Sequence, residues 1–123
     1  MTGQHPPDES PQPYPLPWVR AVLDLAILGL VHAQPQHGYA LARHLKEAGF
    51  GDLRGGSIYP VLTRLENHGH ITFTWEEPRS GPGRKRYAIT PHGQARLRGE
   101  LALWNDFIST LHQVTDDSTG HQP

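Results

Sequence analysis

Cysteine is absent from the 123 residues. That excludes a disulfide framework, a zinc–thiolate site and a thiol nucleophile. It fits a cytoplasmic protein, which is the expected location. A positively charged start followed by an apolar run is also missing, so no secretory leader is expected. The most apolar stretch, Val19 to Val31, contains Arg20 and Asp24. It is shorter than the ~20 residues that a membrane span requires, so no membrane partner is expected.

An excess of one charge is lacking too: the net charge is −1. Its distribution says more than its sum. Residues 1–17 hold Asp8 and Glu9, residues 114–123 hold Asp116 and Asp117, and neither segment has Lys or Arg. Setting those four acids aside leaves eleven basic and eight acidic residues, or +3. Arg79, Arg84, Lys85 and Arg86 crowd into one short segment. The chain therefore carries a local basic patch on a near-neutral body.

Enzyme signatures are missing as well. Gly55-Gly56-Ser57 lacks the G-x-S-x-G elbow. The run Gly81-Pro82-Gly83-Arg84-Lys85-Arg86 lacks the spacing and the Ser/Thr of a phosphate-binding loop. No acid and base are paired. Among nine histidines, His37 and His44 stand two helical turns apart, and His68 and His70 flank Gly69. Without cysteine or a tight His/carboxylate cluster, neither a metal nor a cofactor is expected.

What is present has a clear order. Residues 1–17 contain six prolines and few large apolar groups. Such a segment cannot offset its ordering entropy and is expected to be disordered; a Pro-rich docking arm is the alternative. Trp18 to His32 is expected as a first helix, apolar almost all round, with Val22 among the residues left to meet a second subunit. Gly29 suggests close packing there. A turn around Pro35 leads to a second helix, His37 to Ala48. Phe50 to Gly56 is a loop. Ser57 to Glu66 is a third helix with two different faces. Ile58, Val61, Leu62 and Leu65 recur at core spacing. Ser57, Tyr59, Thr63, Arg64 and Asn67 are left for another surface. Ser57 is expected as N-cap, Pro60 in the first turn and Gly69 as the C′ stop.

Ile71 to Glu76 alternates with period two and reads as a strand, with Lys85 to Thr90 as its return. The joining Gly/Pro loop makes a hairpin with a basic tip. Thr90-Pro91 then opens a last helix as N-cap and N1. Leu97, Leu101, Trp104, Ile108 and Leu111 form its heptad seam, widened by Leu103 and Phe107. A partner helix from a second subunit is the favoured cover; folding back on the same chain is the alternative. From Thr115 the chain is polar.

Three helices, a basic hairpin and a long helix form a winged helix-turn-helix order. The residues then point to a family. His37-Gly38-Tyr39-Ala40-Leu41 resembles the H-G-Y-x-L opening of the second helix in PadR-like transcriptional regulators. Ser57-Ile58-Tyr59-Pro60-Val61-Leu62-Thr63-Arg64-Leu65-Glu66 resembles their recognition-helix signature. Gly69-His70-Ile71 is similar to their G-x-I, and Gly83 to Thr90 to their wing strand. The likeness runs over about residues 20–112, and the third helix is its specific part. His70 stands where Leu is usual, and Arg86 where an aromatic is usual. The size and single C-terminal helix are similar to the short, multidrug-sensing subfamily.

The resemblance implies a homodimeric repressor of operator DNA. The expected fold is mainly α with a β-hairpin: a winged helix-turn-helix over 18–90, a dimerisation helix over 91–114 and a disordered tail over 115–123. The expected DNA contacts are Ser57, Tyr59, Thr63, Arg64 and Asn67 on the helix, with Arg79, Arg84, Lys85 and Arg86 on the wing. Arg64 has an ion pair as its alternative. Tyr39 is read as a core residue, with phosphate contact as the alternative. In the similar multidrug repressors, tryptophans line a pore at the dimer interface. By that likeness Trp104, with Trp18 and Phe107, is a site for a small aromatic effector; plain packing in the seam is the other reading. The expected dimer interface is Val22, Leu97, Leu101, Trp104, Ile108 and Leu111. Two other functions stand beside this one: a winged-helix protein-interaction module without specific DNA binding, and a metal sensor.

Overall fold

The computed structural model of the chain describes residues 14–53, 55–77 and 81–118. The expectations for residues 1–13, for residues 119–123 and for Arg79 lie outside the described residues. Helix α1, Leu16–Ala33, starts two residues before the expected Trp18. Pro17 sits in its first turn, where a missing N–H breaks no helical bond. Strand β1, Gln36–His37, leads straight into α2, Gly38–Glu47. Helix α3, Gly55–Asn67, is followed by strands β2, Ile71–Glu76, and β3, Arg84–Ile89. Helix α4, Pro91–Ser118, completes the chain. It runs past residue 114, where the expectation placed the start of a disordered tail.

The three strands form an antiparallel sheet in the order β1-β3-β2. In its register Ile71 faces Ile89, Phe73 faces Tyr87 and Trp75 faces Lys85. Gln36 pairs with Tyr87 and His37 with Arg86. The core lies between α1, α2, α3 and this sheet. Ile27, Leu28, Leu41, Leu45, Ile58, Leu62 and Leu65 are among its fully buried side chains. By length and composition α1 could cross a membrane. Here it is the central core helix: α2, α3, α4 and β3 all pack against it.

Buried Gln36 shows how the helices are joined. Its Nε2 donates to the Leu30 and Gln34 carbonyls, both at 3.1 Å. Its Oε1 lies 2.7 Å from His44 Nδ1. A buried amide costs little when its groups are bonded in this way.

Three local expectations need correction. Helix α3 begins at Gly55, so Ser57 is its third residue rather than its N-cap, and Pro60 lies in the second turn. A Pro there leaves the Gly56 carbonyl without its helical donor. Gly56 is exposed, so water can serve that carbonyl. Gly29 does not mark close packing: a Cβ there would meet nothing within 4 Å. Leu97 is not left for a partner: it is 7% exposed and belongs to the chain's own core.

Both ends of the α3–α4 segment are capped as expected. The Gly69 N–H donates to Glu66 and the His70 N–H to Leu65, with Gly69 at φ +75°. That is a Schellman motif. The Gly93 N–H donates to Thr90 Oγ1 at 2.9 Å, and Thr90 Oγ1 donates to the Gly69 carbonyl at 2.6 Å. A Cβ on Gly93 would collide with the His70 carbonyl. The start of α4 is therefore pressed onto the end of α3.

Candidate nucleic-acid interface

Helical periodicity divides α3 into a core face, an outer ridge and two flanks. Ile58, Val61, Leu62 and Leu65 are buried, as expected. Gly56, Pro60, Thr63 and Asn67 form the outer ridge and are exposed. Ser57 and Arg64 lie on the flank toward α1. Tyr59 and Glu66 lie on the other.

Both flanks are held by ion pairs. The Arg64 Nη2 donates to Asp24 Oδ1 on α1 at 2.7 Å. On the far side, Lys85 Nζ of β3 reaches Glu66 Oε2 at 3.4 Å. It also sits 4.1 Å above the Phe73 ring. Arg86 Nη1 lies 3.6 Å from Glu76 Oε2, and His37 Nε2 lies 2.9 Å from Glu76 Oε1. Arg84 is exposed and makes no ion pair among the described residues. Arg64, Lys85 and Arg86 are thus tied to acids of their own chain. The polar ridge of α3 and Arg84 stand open.

Tyr39 is not a core residue: it is 73% exposed. It follows Gly38 at the start of α2, and Tyr59 packs over that glycine. A Cβ on Gly38 would lie 2.8 Å from the Tyr59 hydroxyl. With no side chain there, Tyr59 can lie across the start of α2, half-exposed beside Tyr39. The two phenols share one shallow cleft with Asp52 and Leu53. Tyr87, beneath the wing, behaves oppositely. Burial pushes its phenol up to about 12, with Glu66 and Tyr59 adding to the shift. It is a neutral core group.

A second surface lies between α1 and α4. Trp18, Val22, Trp104 and Phe107 line a groove of about 490 Å³, with Tyr14 and Phe50 at its side. The Trp104 and Phe107 rings meet edge to face at 5.4 Å. Leu101, Leu103, Phe107, Ile108, Leu111 and Val114 are exposed along α4. Trp18, Trp104 and Phe107, expected to act together, therefore share one concavity.

The chain matches the "Transcriptional regulator PadR-like family" over residues 27–99, more than half its length. It belongs to that family. The PadR-like chain is 33% identical over 82 residues to the negative transcriptional regulator PadR of Bacillus subtilis (strain 168). That match covers 65% of the chain and 45% of the relative, so the chain spans less than half of that protein's length. A PadR-like transcriptional regulator from Bacillus cereus strain ATCC 14579 is 30% identical, with a TM-score of 0.71, over 80% of this chain and 96% of that one. Bacillus subtilis PadR in complex with operator DNA is 33% identical, with a TM-score of 0.60, over 65% of this chain and 46% of that one. The winged-helix expectation for this PadR-like chain is borne out. The family is one of transcriptional regulators and not an enzyme class.

The acidic partners of three basic residues escaped the sequence reading. Asp24, Glu66 and Glu76 each hold a basic residue of the predicted interface. Asp24 had a usable signal, because a carboxylate in a nearly all-apolar helix needs a partner. Glu66 and Glu76 had none, since surface acids are ordinary.

Proposed function

We propose that this chain is a cytoplasmic, homodimeric repressor that binds operator DNA through α3 and the wing. The exposed ridge of α3, flanked by anchored side chains, carries this reading. A helix entering a major groove needs a polar outer face and a fixed roll angle. Thr63 and Asn67 offer the face, and the pairs at Arg64 and Glu66 restrain the roll. Ser57, Tyr59, Tyr39 and Arg84 are suited to phosphates around it. The operator complex of the Bacillus subtilis relative supports the same partner here. The open apolar stripe on α4 supports a dimer, and the aromatic groove supports a flat aromatic effector that stacks on Trp104.

The test is binding to the chain's own upstream DNA over several salt concentrations, with competitor DNA present. Saturable binding at about 10⁻⁸ to 10⁻¹¹ M is expected, with a steep salt slope and dimer stoichiometry. One observation favours the rival reading, an interaction module: Arg64, Lys85 and Arg86 are already paired with acids. Arg84→Ala with Lys85→Ala separates the two. A repressor loses affinity similarly on all sequences and its salt slope flattens. Unchanged DNA affinity favours the interaction module.

A further inference from the structure

Asp24 touches two elements that otherwise meet where the start of α4 presses on the Gly69–His70 turn after α3. Helix α4 packs on α1 and β3, and α3 packs on α1, α2 and β2. Away from that turn, one α1 carboxylate bridges the two helices. Its Oδ1 is 2.7 Å from Arg64 Nη2 of α3, and its Oδ2 is 3.5 Å from Arg96 Nη2 of α4. Arg96 is held on its other sides. Its Nε lies 2.8 Å from Glu100 Oε2, and its Nη1 lies 3.4 Å from His70 Nδ1, just past the end of α3. Asp24 and Arg96 are only 20% and 24% exposed, whereas Arg64 is 48% exposed. The bridge thus runs from a sheltered joint at α4 to the edge of the outer face of α3.

We propose that Asp24 is a positioning residue for DNA binding. One carboxylate holds Arg64 and Arg96 together and so fixes the orientation of α3 relative to α4. This rests on the operator-binding reading above. Two heads on a dimer must present their helices at a set spacing. Any looseness between α3 and α4 spreads that spacing, and binding weakens because fewer molecules are competent. Arg64 then serves DNA binding through its grip on α1.

The test combines affinity with a distance. The operator is selected from a random duplex pool by the wild-type protein. Asp24→Asn, Arg64→Gln and Arg96→Gln are each expected to weaken binding about tenfold, while the Asp24→Asn/Arg64→Gln pair stays within about twofold of the weaker single variant. Two independent losses would instead multiply to about a hundredfold, and that overturns a shared role. Spin labels on Thr63→Cys and Gln113→Cys are clean because the chain has no cysteine. Diluted with unlabelled chains, they report the α3–α4 distance within one chain. A narrow distribution that broadens in all three variants supports the bridge. An unchanged distribution in Asp24→Asn overturns it. If Asp24→Asn does not fold, Arg64→Gln carries the same test from the exposed end. If the wild-type protein selects no operator, the operator reading falls, and the distance measurement alone decides whether Asp24 ties α3 to α4.

Discussion

Helices α1 and α4 both carry long apolar stripes, and the chain treats them in opposite ways. In α1, Val19, Leu23, Leu25, Ile27, Leu28 and Val31 are all buried. In the 28 residues of α4, Leu97 is the one large apolar side chain that is buried, among the described residues. Apolar content does not separate them. Position does: α1 has three helices and a strand around it, whereas α4 packs mainly on α1 and β3. Past Leu97, α1 meets α4 across the open groove of Trp18, Val22, Trp104 and Phe107, and much of the α4 stripe stays exposed. An apolar stripe states that something must cover it, and only the arrangement of elements says whether the cover is the chain itself.

The comparison can be broken most sharply inside α1. Leu28→Ala removes a fully buried side chain and should cost about 2–5 kcal/mol, read as a shift of the urea midpoint. A loss below about 1 kcal/mol would mean that α1 is less completely enclosed than its burial states.

On α4 the same kind of change should spare the head. Ile108→Ser with Leu111→Ser is expected to weaken self-association by at least about tenfold, or 1.4 kcal/mol. Sedimentation velocity reads the association, and the helical signal of the head should persist. Association at wild-type strength would remove this stripe from the interface.

The joint between the two regimes is smaller in energy. Thr90→Ala deletes the cap on α4 and should cost about 1 kcal/mol, measured by thermal unfolding. No change would place the capping energy in the packing of Gly93 against His70.

The smallest expected effect is a pH dependence at the same joint. Burial holds the His70 imidazole below its ordinary value, and Arg96, His92 and His68 add to the effect while Glu100 opposes it. His92 stacks on His70 with ring centres 4.6 Å apart. The unfolded imidazole binds a proton near pH 6.5, before the folded one does. Stability is therefore complete above about pH 6.5 and declines as pH falls toward the lowered folded value. The melting temperature should drop between pH 7.5 and 5.5, and by less in His70→Gln. Equal drops in the two proteins would exclude His70 as a source.

Much of this could be read in the chain. The core face of α3, the bounds of β2, the Gly69 stop and the Thr90-Pro91 start of α4 all rest on interactions within a few residues. Where distant residues decide, the reading failed. Strand β1 is two residues long and shows no period; it exists because β3 lies beside it. Tyr39 looked like a core aromatic, yet its ring points outward beside Tyr59. Leu97 belonged to a regular seam, but α4 packs on α1 and β3 and Leu97 joins the core.

The candidate interface divides in the same way. Periodicity separated the buried face of α3 from Thr63 and Asn67, because a helix fixes which residues share a side. It could not say which basic residues are free. Lys85 and Arg86 looked equivalent to Arg84, and Arg64 had an ion pair as its alternative with no partner named, until the fold brought Glu66, Glu76 and Asp24 beside them. The elements, their apolar faces and the family signature follow from the order of residues, since these depend on local spacing and residue chemistry. Which charges pair, which aromatics meet in the groove and which stripe stays open came from the packing of the elements. Those outcomes depend on residues far apart in the chain, 72 positions for Asp24 and Arg96, and no local pattern encodes such a distance.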